Sequence, residues 1–466
     1  MSVDTNPTLG NQNSRRHFLH QAGGGFLGVA LGGMWAEGGE IKNALLTPDS
    51  TPKAKSVIFL FMCGGVSHID TFDPKGNQHA GKMIDAIGFG DNLAEMQRPV
   101  IPCHRTFTSY GQCGTPVSDW FPHVGSMMDE IAVVRSMWCH EGNHAPAVIE
   151  TTTGHRGRAF DHPSFGAWVS HALGSSNKNL PSFVNIGRPT SPVQLTGGYL
   201  GASVSATPFQ AGETPIPNLH PIREGSSAER DRQMQLLQKM NETFRKRYAL
   251  NSNIKARARA YELAASMQMS APEAVDFTRE PSHVKSLYGI NEEHTEAFGK
   301  QLLLARRLAE RGVRYIQICH AGGGNGGWDS HGDMKYHEPH CRSTDKPIAG
   351  LIKDLKQRGM LDETLVVWTS EFGRTPWSQN TTGRDHNPKG FTSWLAGGGI
   401  KGGIVHGATD EVGYKAVESP HYYSDLHATI LRQLGIDHTK MFLPELGPVS
   451  MLVEEGNGPI EAIIHL

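Results

Sequence analysis

The sequence predicts an α/β protein, with a mostly parallel central sheet, helices on both faces and a helical insertion. Three observations predict it. Short unbroken apolar runs at 57–63, 131–137, 313–319 and 364–369 stop at glycines or polar loops. Such runs mark strands covered on both faces, as parallel sheets are. Helical spacing fills the intervals between them, which is the order of βαβ units. Asp, Glu and His gather directly after the runs, where an open parallel sheet binds its ligands.

Along the chain, Ser14-Arg15-Arg16-His17-Phe18-Leu19-His20 precedes an uncharged run rich in Gly, Ala and Leu, from 21 to 36. A basic start and a short apolar stretch are the marks of a signal peptide. The paired arginines select the twin-arginine route, which carries folded proteins, so the expected location is periplasmic or secreted. The apolar stretch is too short and too Gly-rich for a span of ~20 residues, and no transmembrane segment is expected. Residues 1–40 are therefore set apart as signal and linker. Residues 50–440 read as one α/β domain and 441–466 as a C-terminal extension.

Within the domain, 182–186 and 391–396 add weaker strand patterns, and 165–173, 296–311, 348–358 and 424–434 carry helical spacing. Residues 226–270 are charged, rich in Met and Gln, and read as an inserted helical arm. Residues 76–125 and 187–222 are rich in Pro, Gly and Thr, and long loops tend to cover a site. A net charge of −2 argues against a nucleic-acid partner. The six cysteines form no CxxC pair, which removes a zinc finger. Export permits disulfides, and Cys103 with Cys113 is the favoured bridge. The Gly-rich run 322–327 matches neither GxGxxG nor the P-loop spacing.

The strand ends carry the chemistry. After the first run come His68, Asp70 and Asp73, and after the second His140, Glu141 and His144. After the third come His320, Asp329 and His331, and after the fourth Glu371 and Arg374. Arg384, Asp385 and His386 stand just before 391–396. In a parallel sheet these residues converge on one rim. Carboxylate with imidazole suits Zn²⁺, Mn²⁺ or Fe, and carboxylate with water suits Mg²⁺ or Ca²⁺. The expected cofactor is a divalent metal: Zn, Mn or Ca.

The order of motifs resembles a known family. Phe59-Leu60-Phe61 through Gly64-Gly65-Val66-Ser67-His68-Ile69-Asp70-Thr71-Phe72-Asp73 comes first, then Asn143-His144 and Thr153-Gly154-His155-Arg156. Gly327-Trp328-Asp329-Ser330-His331, Ser370-Glu371-Phe372-Gly373-Arg374-Thr375-Pro376 and Gly383-Arg384-Asp385-His386 follow. Over nearly all of 50–440 this is similar to the "domain of unknown function 1501" family, a relative of alkaline phosphatases and sulfatases. The resemblance implies an alkaline-phosphatase-like fold and an exported, metal-dependent hydrolase of phosphate or sulfate esters, acting on a small molecule or glycan. It leaves open an inactive binding or assembly protein of the cell envelope that keeps the fold.

Residue by residue, the resemblance implies that Asp70, with His68 and Asp73, stands for the metal-binding Asp after the first strand. Counting back from Thr153-Gly154 puts His144 where relatives carry a Ser, Thr or Cys nucleophile, so formylglycine chemistry is excluded. Asp329 and His331 stand for a metal-binding Asp/His pair. Glu371 stands for a further Asp, Phe372 replaces a His, and Asp385-His386 supplies the final His. This inventory implies one metal rather than two. Arg374 or Arg384 would grip an anionic oxygen, Arg156 would contact the ester, and Asp425 and His427 would support the site from behind.

Overall fold

The computed structural model describes residues 51–87, 95–157, 161–209, 273–378, 382–440 and 456–465, with a few isolated positions between 232 and 239. The expected signal segment and nearly all of the inserted arm lie outside the described residues.

Among the described residues, the main sheet has nine strands. They are β1 (Ser56–Met62), β2 (Ile131–Trp138), β3 (Phe183–Ile186), β4 (Thr207–Phe209) and β5 (Tyr315–His320). The rest are β6 (Thr364–Thr369), β7 (Phe391–Ala396), β8 (Ile404–His406) and β9 (His421–Tyr422). Their order is β8-β2-β7-β6-β1-β5-β3-β4, with β9 also paired to β2. β1 lies between β6 and β5, parallel to both, with Leu60 opposite Trp368 and Ile318.

The unbroken apolar character of β1 follows from cover on both faces. Ile58, Leu60 and Met62 join a core with Leu302, Leu303, Ile352 and Leu355, from α3 (Glu296–Glu310) and α4 (Glu338–Gln357). Val57, Phe59 and Phe61 turn to the opposite core with Trp168, Val169, Leu426 and Ile430, from α2 (Phe165–Leu173) and α5 (Tyr423–Gln433). Alternate residues of a strand point to opposite faces, so both parities must be apolar.

The expected parallel sheet has one reversed member. β7 is antiparallel to β6 and to β2. A parallel return needs a crossover, usually helical, and no described residue between β6 and β7 is helical. Helix α4 begins ten residues before the 348–358 pattern because it runs straight through Pro347, a residue that ordinarily signals a break.

The stretch set apart as a C-terminal extension feeds the core. Ile460, Ile463 and Ile464 are buried, and Ile464 bridges to Ile400. Among its described residues, the long 76–125 segment pairs Met83–Ile87 with Glu95–Pro99 and Phe107–Tyr110 with Thr115–Ser118, and ends in the short helix Pro122–Gly125. The expected Cys103–Cys113 bridge does not form, and all six cysteines are free. Cys103 Sγ donates to the Ile69 carbonyl at 3.7 Å, whereas Cys113 Sγ lies 3.2 Å from Thr115 Oγ1. Among the described residues, no helix is long and apolar enough to cross a membrane.

Candidate metal centre

Four strand ends build the centre, and the reversed strand supplies one of them. β7 runs against its neighbours, so its beginning, not its end, reaches the rim. That is why His386, which precedes β7, joins residues that follow β2, β5 and β6. The Gly64-Gly65 turn allows the close approach. Gly64 has φ +118°, and a Cβ there would sit 2.7 Å from Asp329 N. A Cβ on Gly65 would strike the Phe372 ring. Only glycine tolerates both the conformation and the proximity.

His144 opens α1 (His144–Thr153). Its Nε2 lies 3.2 Å from Asp329 Oδ2. His331 Nε2 lies 3.0 Å from Asp329 Oδ1 and 2.8 Å from His386 Nε2. His386 Nε2 lies 3.2 Å from Asp329 Oδ1. Donor atoms of His144, Asp329 and His386 all fall within 4.8 Å of one another.

The other nitrogen of each ring is tied down. His144 Nδ1 is 2.8 Å from Glu371 Oε1, His331 Nδ1 is 3.2 Å from Asp385 Oδ1, and His386 Nδ1 is 2.7 Å from the Gly142 carbonyl. A carbonyl only accepts, so His386 Nδ1 carries the hydrogen and Nε2 keeps its lone pair. Glu371 and Asp385 accept in the same way from Nδ1 of His144 and His331, while Asp329 faces Nε2 of both. Three Nε2 atoms thus face one carboxylate. Imidazoles oriented through Nδ1, with Nε2 converging, are the arrangement a cation needs. The donor set fits a divalent metal.

Electrostatics agree. Burial works to raise the Asp329 pKa, but bonds from His144, His331 and His386 and the Arg374 charge outweigh it, holding the carboxyl well below the usual range. His331 is pushed up to about 9 by its bonds to Asp329 and Asp385. Burial pulls His386 down to about 4. One proton therefore sits between these two rings when no cation does, and proton and cation compete for the same lone pairs.

The sequence-predicted residues divide. Asp329, His331, His386 and His144 come together, with His144 Nε2 facing Asp329. Glu371 and Asp385 stand behind them as orienting groups. Glu371 also accepts the Gly64 N–H on both oxygens, at 2.9 and 3.0 Å. Arg374 is fully buried and is not free for substrate. It donates to Asp329 Oδ1 at 2.9 Å and to the Gly65, Trp328, Arg384 and Gly64 carbonyls.

Asp70 and His68 lie elsewhere. Arg384 holds Asp70 at 2.7 Å, Ser67 Oγ donates to it at 2.5 Å, and His68 Nε2 meets the Gly413 carbonyl at 2.8 Å. Asp73 pairs with Lys75 at 3.0 Å. The turn after Gly64-Gly65 carries this segment into its own buried charge cluster. Arg156 is half-exposed, 3.8 Å from Glu141. His427 is buried and stacked on Phe165.

Sequence reasoning missed Glu150. It is fully buried and accepts the main-chain N–H groups of His140 and Glu141 at 2.9 and 3.0 Å. Tyr422 Oη donates to it at 2.5 Å. Glu150 therefore braces the turn that presents the Gly142 carbonyl and His144. Its signal was present: a lone acid within the otherwise uncharged helix His144–Thr153. Glu150→Ala is expected to weaken metal binding by ~10–100-fold, the usual cost of losing an outer support. Glu150→Gln, which keeps one acceptor oxygen, recovers part of it. Calorimetric metal titration of both variants checks this.

The model for the family described as "Protein of unknown function (DUF1501)" matches residues 54–464. No curated protein matches the chain. Among solved structures, the chain is similar to a sulfatase from Pseudoalteromonas sp. (12% identity, 87% of this chain and 71% of that one, TM-score 0.36). It is similar also to the alkaline phosphatase of the Antarctic bacterium TAB5 (12% identity, 83% and 100%, TM-score 0.34). A phosphonate monoester hydrolase from Silicibacter pomeroyi is a third such structure (14% identity, 68% and 68%, TM-score 0.32). The chain belongs to the DUF1501 family, whose model accounts for the whole described sheet and every residue of the candidate centre.

Proposed function

We propose that the chain is an exported metal-dependent hydrolase of phosphate or sulfate esters of small molecules or glycans. The observation that carries this reading is the convergence of three Nδ1-tethered imidazoles on Asp329. His144, His331, His386 and Asp329 hold the cation, and the imidazole-rich donor set favours Zn²⁺ or Mn²⁺ over Ca²⁺. A cation held there supplies a Lewis acid for an ester oxygen.

The chain's own groups do the rest. Glu371, Asp385 and the Gly142 carbonyl keep the rings aimed, and Arg374 balances the Asp329 charge. Arg156, with a side chain 52% exposed and Glu141 at 3.8 Å, is an accessible cation for an anionic ester. Arg156→Gln is expected to raise KM about tenfold with little change in kcat, the mark of lost ground-state binding, as steady-state kinetics will show. Export rests on the Arg15-Arg16 segment and its apolar run.

A second reading is a binding protein that keeps the metal as a structural centre. What favours it is the partner set of the four donors. Among the described residues these partners are imidazoles, carboxylates, Arg374, Asn325 and a main-chain carbonyl, with no hydroxyl or thiol. Cys139, the nearest thiol in sequence, is fully buried, and desolvation pushes its pKa well up. Metal analysis of the natively produced protein, then assays on aryl phosphates, phosphodiesters and sulfates, separates the readings. Bound metal with turnover supports the hydrolase. Bound metal with none across the panel supports the binding protein. No bound metal overturns both.

A further inference from the structure

His406 ends β8, and His421 begins β9. Both strands lie on the same side of β2, as parallel neighbours at successive positions along it. Their Nε2 atoms meet at 2.9 Å, and the ring centroids lie 5.1 Å apart. His421 Nδ1 is 2.9 Å from Asp425 Oδ2. Asp425 is fully buried, and its other oxygen accepts the main-chain N–H groups of Asn457 and Gly458 at 2.5 and 3.1 Å. A carboxylate fixed by two donors is an acceptor toward the ring, so His421 Nδ1 bears the hydrogen and Nε2 offers a lone pair toward His406.

This repeats the unit found at the principal centre, where Asp385 tethers His331 and His331 faces His386 through Nε2. The hairpin that follows β8 carries an exposed carboxylate on its second strand. Ala408–Thr409 pairs with Ala416–Glu418, placing Glu418 opposite Ala408. The Glu418 charge acts on His406, opposing the effects of burial and of His421. A pair of imidazoles facing each other through Nε2, one of them aimed by a buried carboxylate, is a chelate for a borderline metal ion.

We propose that His406 and His421 form a second cation site, separate from the principal centre, that takes a transition metal such as Zn²⁺, Ni²⁺ or Cu²⁺ and refuses Mg²⁺ and Ca²⁺. Imidazole pairs select in this direction. Tetrahedral coordination at Zn–N ~2.0–2.1 Å separates ligand nitrogens by ~3.3 Å, so the rings part by a few tenths of an ångström. With two imidazoles against the principal centre's three imidazoles and a carboxylate, the site is the weaker one, and its ion exchanges first.

Calorimetric titration of chelator-treated full-length protein with Zn²⁺ tests this, in wild type, Asp329→Asn, His406→Ala and His406→Gln. Wild type is expected to take up two equivalents, one tight and one weak. Asp329→Asn should lose only the tight one, and both His406 variants only the weak one. Circular dichroism checks that each variant is folded, and His406→Gln preserves side-chain bulk. A single wild-type equivalent that vanishes in Asp329→Asn overturns the second site and leaves the principal one standing. Two equivalents that survive both His406 substitutions overturn it as well. A single equivalent lost in the His406 variants and kept in Asp329→Asn upholds this site and removes the principal one.

Discussion

Asp329→Asn empties the principal centre of metal. Asp329 is the one anionic donor of the four, and it is bound at once by His144, His331, His386 and Arg374. Asparagine keeps the shape, loses the charge, and turns an NH₂ toward either the cation or the imidazole lone pairs. The expected fall in affinity exceeds the ~10–100-fold typical of losing an orienting partner. Glu371→Gln, which removes such a partner from His144, should fall within that range. Metal content by mass spectrometry and affinity by calorimetry check both. Undiminished affinity in Asp329→Asn would show that the four atoms do not share an ion.

Asp70→Asn has the opposite signature: a large loss of stability with metal affinity intact. Asp70 and Arg384 are both almost fully buried, at 2.7 Å. Removing one partner strands a buried guanidinium, which costs about 3–5 kcal/mol. The pH dependence carries the same information. Burial works to raise the Asp70 pKa, but Arg384 outweighs it and holds the carboxyl at about 2, against an ordinary 3.8. The native state thus prefers the ionised form. That preference is worth about 2 kcal/mol; it is complete above pH ~4 and lost as pH falls toward 2. Denaturant melts from pH 5 to pH 2 should show this slope in wild type and its loss in Asp70→Asn. A variant that melts like wild type but releases its metal would return Asp70 to the ligand set.

Much of this architecture is legible in the sequence. Strands 364–369 and 391–396 read true to the residue: the first is a short, mostly apolar run between polar loops, and the second, broken by Thr392 and Ser393, is the weaker pattern of the two. The rim of Asp, Glu and His was legible because strand ends are where an open sheet meets its ligands. It survived the reversal of β7 only because His386 precedes that strand. What residue type cannot convey is which ring nitrogen faces where. Asp329 and Glu371 look alike in sequence; one faces the Nε2 atoms and the other an Nδ1, and that direction separates ligand from support. Asp70 was misplaced for a related reason. Its partner, Arg384, lies 314 positions away, and an ion pair at that separation leaves no local pattern. Glu150 left one local trace, a lone acid in an uncharged helix, but nothing in the sequence says that it braces main-chain N–H groups.

The donors of the principal centre lie between His144 and His386, on segments that meet only when β2, β5 and β7 are all docked. An unfolded chain holds no such cluster, so an ion held there would bind the finished molecule alone. Occupancy then adds its whole binding free energy to the folding equilibrium: about 4 kcal/mol when the free ion stands a thousandfold above its Kd. Loading and folding would then be coupled, and a chelator would be expected to act on this protein as a denaturant does, by withdrawing what holds the native side of the balance down.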